Sequence, residues 1–390
     1  MSHTVAGKEE ELHWLALKLV PGLGARTAGK VLDRFRTPQA AFRASRSELE
    51  AAGLSGAVAQ SIASGCTFED AVLQQEKMME AGAELLTWND PRYPRPLREI
   101  FDPPVALFAR GRLELLGSIA IGVVGTRRPT PYGLAAAERL SADLSHAGLA
   151  IVSGMARGID TAAHKGALSV GGDTIAVFGC GVDLVYPSEN RKLAAELAAK
   201  GLILSEFPMG AVAFPQNFPI RNRIISGVSV GVLVVEGAQY SGSAITAKLA
   251  MDQGREVFAV PGNITSKLSW APNLLIKQGA RLVQDWNDVV ADLPAESRRY
   301  LIEKGRQRIL GEDGASPEGG AASVTSAGSD LSEIARRALA GLQVDSAVNL
   351  DDLLENVQDT SPSELIAALF ELEMLGLVKQ LPGKNFVKVW

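Results

Sequence analysis

An α/β architecture, a mostly parallel sheet with helices on both faces, is predicted for the middle of this chain by three observations. Short apolar runs occur at 119–124, 150–152, 174–178, 202–204, 230–235, 257–260 and 281–283. They are continuous rather than alternating, as in strands buried on both faces. Stretches of helical periodicity separate them, which is the alternation that links parallel strands, and glycine-rich turns directly follow several of the runs.

The flanking elements follow in chain order. Residues 9–65 read as helices joined by glycine-rich turns, forming a small module. Pro21-Gly22-Leu23-Gly24 followed by an apolar helix looks like a helix-hairpin-helix, and Gly53 to Gly56 begins a degenerate second copy. Its functional reading is DNA contact through Gly22, Gly24 and Lys30; its alternative is a protein contact. Residues 82–117 bridge to the sheet with strands expected at 84–87 and 105–109, separated by proline-marked loops. Residues 311–330 combine Gly, Ala, Ser, Glu and Pro with almost no large apolar side chain, the composition of a flexible linker. Amphipathic helices at 331–342, 350–357 and 362–375 precede a short hairpin, a pattern similar to a winged helix. Its third helix carries Glu364, Glu371 and Glu373 without Lys or Arg, which suits a protein partner better than a phosphate-lined groove. The expected segments are 1–75, 76–298, 299–330 and 331–390.

Composition narrows the functional classes. The 390 residues are 46% hydrophobic with a formal net charge of -5, so a broad basic surface is excluded and any nucleic-acid site is local. The two cysteines, Cys66 and Cys180, lie far apart in no metal-ligand spacing, so neither a disulfide framework nor a metal site is expected, and a reducing cytoplasm is. The N-terminus lacks the apolar core of a signal peptide and no apolar run reaches membrane-spanning length, so no membrane association is expected.

Ligands of open parallel sheets bind at the carboxyl ends of the strands. After the first run comes Gly125-Thr126-Arg127-Arg128-Pro129, a turn into a helix whose free amides favour an anion, with Arg127 adding a formal charge. After the second comes Ser153-Gly154-Met155-Ala156-Arg157-Gly158-Ile159-Asp160, with Asp160 placed to cap the next helix. Gly179-Cys180-Gly181 leads to Tyr186-Pro187, and Glu236-Gly237 leads to Tyr240-Ser241-Gly242-Ser243. Each turn alone is what such a fold needs; their convergence on one edge points to a site. Neither a Gly-x-Gly-x-x-Gly fingerprint nor a P-loop is present, so no nucleotide cofactor is expected.

The segment at 217–227, Asn-Phe-Pro-Ile-Arg-Asn-Arg-Ile-Ile-Ser-Gly, offers another kind of chemistry. Arg221 and Arg223 suit phosphates, Phe218 suits a base, and Asn217 and Asn222 suit base edges or sugar. The competing reading is a solvated helix edge. No catalytic residues are assigned: His164 reads as a helix-surface or hydrogen-bonded core histidine and Cys180 as a small residue in a tight turn.

Taken together, Gly-Thr-Arg-Arg-Pro at Gly125, Ser-Gly-Met-Ala-Arg-Gly-Ile-Asp at Ser153, Tyr186-Pro187 and the segment from Phe218 resemble the DprA/Smf family. Val-Glu-Gly-Ala-Gln-Tyr-Ser-Gly-Ser at Val235, Val-Pro-Gly-Asn at Val260 and the segment from Asn273 to Ala280 extend the resemblance to about 93–283. It implies a Rossmann-like sheet in a non-enzymatic, cytoplasmic, homodimeric protein that binds single-stranded DNA and helps load RecA recombinase during natural transformation. Carried over, the DNA pocket uses Arg127, Asn217, Phe218, Arg221 and Arg223, with Gly154, Gly158, Gly242 and Ser243 allowing backbone approach. Gly125, Thr126, Arg157 and Asn222 complete the expected site. Thr126 stands where the family often has serine, and Pro215-Gln216-Asn217 lacks a basic residue that would strengthen phosphate contact. The alternative is a nucleotide phosphoribohydrolase related to lysine-decarboxylase-like proteins, disfavoured because Thr246 lies where its catalytic glutamate is expected.

Overall fold

The computed structural model of the chain describes residues 5–301, 331–343, 346–357, 360–374, 377–381 and 383–389. They fall into two compact units, Met1–Arg298 and Arg299–Trp390. The expected linker at 299–330 lies, from residue 302 onward, outside the described residues.

The first unit is organised by a nine-stranded sheet of order β1-β2-β6-β5-β4-β3-β7-β8-β9. Its strands are β1 (Glu84–Thr87), β2 (Ala106–Gly111), β3 (Ala120–Val124), β4 (Ala150–Ser153), β5 (Thr174–Phe178), β6 (Leu202–Ser205), β7 (Gly231–Val234), β8 (Glu256–Ala259) and β9 (Arg281–Leu282). The strands from β3 to β9 pair in parallel, as their apolar runs predict. β1 and β2, from the bridging stretch, extend the same sheet as an antiparallel edge against β6. From β3 the chain steps outward through β4, β5 and β6, then returns to the other side of β3 as β7. That reversal makes a crevice between the carboxyl ends of β3 and β7.

Every residue of β3, β4, β5, β6 and β7 is buried, which explains their unalternating sequences. On one face, Val124, Val152, Val177, Leu204 and Val232 pack with Ile224, Ile225 and Leu97. On the other, Phe108, Ala176, Phe178 and Ile203 share a core with Trp14, Leu15, Leu17 and Met209. Each large apolar side chain so buried contributes about 1.5–3 kcal/mol.

The six N-terminal helices, α1 (Val5–Lys18), α2 (Ala25–Phe35), α3 (Pro38–Arg43), α4 (Arg46–Ala51), α5 (Gly56–Ser64) and α6 (Phe68–Ala81), therefore complete their apolar faces against the sheet. Polar clamps reinforce this: Gln74 of α6 donates to the Met209 carbonyl at 3.2 Å and accepts the Met209 amide at 2.7 Å. The helical region and the sheet consequently belong to one compact unit.

Further helices of this unit are α7 (Arg95–Arg98), α8 (Pro131–His146), α9 (Ile159–Ser169), α10 (Arg191–Lys200), α11 (Asn217–Gly227), α12 (Gly242–Asp252), α13 (Trp270–Lys277) and α14 (Trp286–Ala291). α8, α9, α11 and α12 each follow a parallel strand, so their N-termini lie toward the carboxyl edge.

The second unit contains helices Glu333–Gly341, Leu350–Asn356 and Pro362–Met374 and the antiparallel strands Val378–Leu381 and Asn385–Lys388, the expected helices-then-hairpin pattern. A short strand, Val348–Asn349, adds to the hairpin. Leu353, Leu365, Leu369, Leu372 and Phe386 form its core. Glu364 is used as a cap, accepting the Ser361 amide at 2.9 Å, while the side chains of Glu371 and Glu373 lie outside the described residues.

Candidate nucleic-acid interface

The turns after β3, β4 and β7 are locked together by the backbone. The Thr126 amide donates to the Glu236 carbonyl at 2.8 Å, and the Ile159 amide donates to the Thr126 carbonyl at 3.2 Å. Gly158 sits at φ +77°, and a Cβ there falls 2.4 Å from the Thr126 oxygen, so only glycine lets the two turns meet. Gly125 is equally confined, with Ile159 within 2.5 Å of a Cβ built on it.

At Gly154 the missing side chain makes room for Arg221: a Cβ falls 1.7 Å from Arg221 Nη1. The guanidinium runs beneath the glycine turn and donates from Nη1 to the Val177 carbonyl at 2.7 Å. Arg221 is only 4% exposed, and burial lowers its pKa from the ordinary guanidinium range. Asp160 is its buried counter-charge, accepting the Gly154 and Ala156 amides at 3.1 and 3.3 Å; burial raises its carboxyl pKa. Gly154, expected to admit a strand, thus admits the protein's own arginine, and Arg221 braces the turns from within.

Above this brace lies the exposed part of the edge. Phe218, in the first turn of α11, is half-buried, with the Arg127 guanidinium carbon 4.9 Å from its ring centre and that of Arg221 at 5.9 Å. Arg127 is exposed and makes no ion pair among the described residues. The Tyr186 ring, 46% exposed, lies 5.8 Å from Phe218. Four helix N-termini lie toward this edge, where the positive ends of their dipoles favour negative charge; at α8 the Thr130 amide is already taken by Glu236 Oε2 at 2.9 Å.

The other expected residues have different placements. Arg223 is on another side of α11, where it pairs with Asp102 at 3.0 Å and Glu206 at 2.8 Å; Glu206 also meets Lys18 at 3.3 Å. It is 6% exposed and is not brought to Phe218. Arg223 lies two residues beyond Arg221, a step of about 200° around the helix that turns it away from the face shared by Phe218 and Arg221, and the two acids hold the guanidinium there. Arg157 is exposed but turns to Glu189, donating from Nε at 3.1 Å. Asn217 is buried, its amide donating to the Gly179 and Val212 carbonyls at 3.0 and 3.3 Å. Asn222 is buried against the Gly242 carbonyl at 3.5 Å. Gly242 is exposed with open space around it, whereas Ser243 is buried beside Ser241 at 2.8 Å. Thr126 accepts the Arg128 amide on its hydroxyl at 3.2 Å.

Two residues escaped the site expectation. Tyr186 was visible only as half of a Tyr-Pro pair after the third run; ring proximity to Phe218 is a long-range fact. Glu236 was visible only as the first residue of the turn after the 230–235 run, and its partner Thr130 lies more than a hundred residues away.

His164 and Cys180 face inward. His164 is buried and shares a 2.7 Å hydrogen bond with Thr174, and burial takes its pKa down to about 3. Burial likewise pushes the Cys180 thiol up to about 11. Among the described residues, no cluster of His, Cys, Asp and Glu has metal-holding geometry, and no helix is long and apolar enough to cross a membrane. In the N-terminal hairpin, Gly22 adopts φ +78° and Gly24 precedes α2. Gly24 borders a cavity of about 940 Å³ that is also lined by Asp102, Glu206 and Asp252.

Residues 84–294, more than half of the chain, match the family described as DNA recombination-mediator protein A. The chain belongs to this DprA/Smf family. Residues 322–384 match the DprA winged helix domain. Protein Smf of Synechocystis is 36% identical over 97% of this chain and 98% of its own length. DNA processing protein DprA of Bacillus subtilis is 42% identical over 57% of this chain and 75% of its own. The crystal structure of DprA from Streptococcus pneumoniae superposes with a TM-score of 0.66 at 37% identity, covering 75% of this chain and 99% of that one. DNA processing protein A from Helicobacter pylori, studied for its single-stranded DNA binding mode, gives 0.50 at 30% identity, covering 55% and 99%. DprA/Smf membership thus accords with the motif resemblance and the Rossmann-like sheet.

Proposed function

We propose that the carboxyl edge of this sheet binds single-stranded DNA, with Arg127 on a phosphate and Phe218 under a base. The observation that carries the reading is the unpaired, exposed Arg127 guanidinium over the half-open Phe218 ring. A cation and a stacking face side by side are what a sequence-tolerant single-strand site requires. The single-stranded DNA binding studied for the Helicobacter pylori relative supports it. Gly125, Thr126, Gly154, Gly158 and Arg221 form the rigid floor, and Asn217, Asn222, Gly242 and Ser243 position the two helix starts. Arg223 and Arg157 act through their acidic partners rather than on the strand.

In this reading the protein is a binding protein, not an enzyme, and works as a homodimer that hands the strand to RecA recombinase during transformation and recombination. The family's description as a recombination mediator supports that role. Unpaired Cys66 and Cys180 accord with a reducing, cytoplasmic setting. The glycosidase-like alternative is weaker because Thr246 is buried and its hydroxyl donates to the Gly242 carbonyl at 3.1 Å.

A salt titration on oligo-dT and on duplex DNA of equal length tests the strand reading. Tighter binding to oligo-dT is expected, and equal affinities would refute it. Sedimentation with RecA-dependent ATP hydrolysis on the oligomer tests the dimer and the hand-over.

A further inference from the structure

The crevice between β3 and β7 is where open α/β sheets set a ligand phosphate against a helix N-terminus. Here that seat holds one of the protein's own carboxylates. Glu236, just after β7, is 3% exposed. Its Oε2 accepts the Thr130 amide at 2.9 Å and its Oε1 accepts the Thr130 hydroxyl at 2.6 Å. Thr130 is the N-cap of α8, and its hydroxyl also accepts the Gly133 amide at 3.1 Å. Gly133 leaves the room: a Cβ there falls 2.3 Å from Glu236 Oε2. Beyond the carboxylate opens a cavity of about 520 Å³ whose lining includes Tyr132, Asn263 and Ser266 and has no cationic side chain.

We propose that Glu236 is an internal anion that closes the phosphate seat of α8, making it a specificity-determining residue. The α8 N-terminus already has its negative charge, and a second anion in the same buried site meets repulsion without a compensating cation. Free phosphate and mononucleotides are therefore rejected at the crevice. Their exclusion stands without the single-strand reading; only its corollary, that a bound strand's phosphates are left to Arg127, rests on that reading.

The test is calorimetric titration of the full-length wild type, Glu236→Gln and Glu236→Ala with inorganic phosphate and with thymidine monophosphate. Thermal melts with and without phosphate accompany it. Wild type is expected to show no binding, and the variants a gain of about tenfold or more with melting points raised by phosphate. An alanine variant that folds only in phosphate supports the proposal equally. Phosphate binding by wild type in this crevice, or variants that phosphate neither binds nor rescues, overturns it. Oligo-dT binding, measured on the same proteins, separates the two ideas. Retained strand binding without a phosphate gain sinks the role of Glu236 alone, whereas a wild type that binds no oligo-dT sinks the strand reading alone.

Discussion

Phe218→Ala removes the ring that faces Arg127 on one side and Tyr186 on another. If a base stacks on Phe218, the loss is about 1–3 kcal/mol, or about five- to 150-fold in affinity. The cost to folding is smaller than the ~3–5 kcal/mol of emptying a core phenylalanine site, because the ring is half-exposed and its neighbours are already partly in water. Fluorescence anisotropy with labelled oligo-dT at fixed salt, paired with denaturant unfolding, reads both quantities. Phe218→Trp is expected to restore binding, since it retains a π-face, whereas Phe218→Leu restores packing without restoring affinity. A double cycle with Arg127→Ala is expected to give a coupling of about 0.5–1 kcal/mol from the cation–ring contact in the free protein. Unchanged oligo-dT affinity in Phe218→Ala, or rescue by Leu equal to that by Trp, refutes the stacking argument.

Arg127→Ala is expected to reduce the salt slope of oligo-dT binding by about 0.7, one released counterion, with little change in stability; an unaltered slope argues against a phosphate contact. Arg223→Ala should cost about 3–5 kcal/mol of stability in urea unfolding, because it strands the Glu206 carboxylate beside Lys18 alone, while the salt slope stays near wild type. His164 makes stability fall on acidification. Its folded pKa, about 3, is below its unfolded value, so the unfolded chain takes the proton first. The penalty begins as pH drops below about 6.5 and grows by about 1.4 kcal/mol per unit toward the folded pKa. Unfolding from pH 7 to 4.5 should therefore show a slope that is lost in His164→Asn; the same slope in both proteins rejects this account.

Strand-helix alternation was legible from residues alone because burial on both faces leaves unbroken apolar runs, and those runs coincide with β3 to β9 to within a residue or two. Much of the candidate site was legible too: the glycine turns and Arg127 announce themselves locally. What local pattern could not sort was the division of labour inside α11. Arg221 and Arg223 are the same residue type two positions apart, yet one braces Gly154 from below and the other pairs with Asp102 and Glu206.

The chain by itself determined its family and its parallel sheet and marked one edge as the candidate site, since these rest on local spacing and periodicity. Only tertiary structure decided which charges stay free. An arginine's availability depends on acids brought beside it from distant segments, such as Glu206 to Arg223 and Glu189 to Arg157. Arg127 meets no such partner among the described residues, and in the crevice beside it the Glu236 carboxylate is held by the Thr130 amide and hydroxyl.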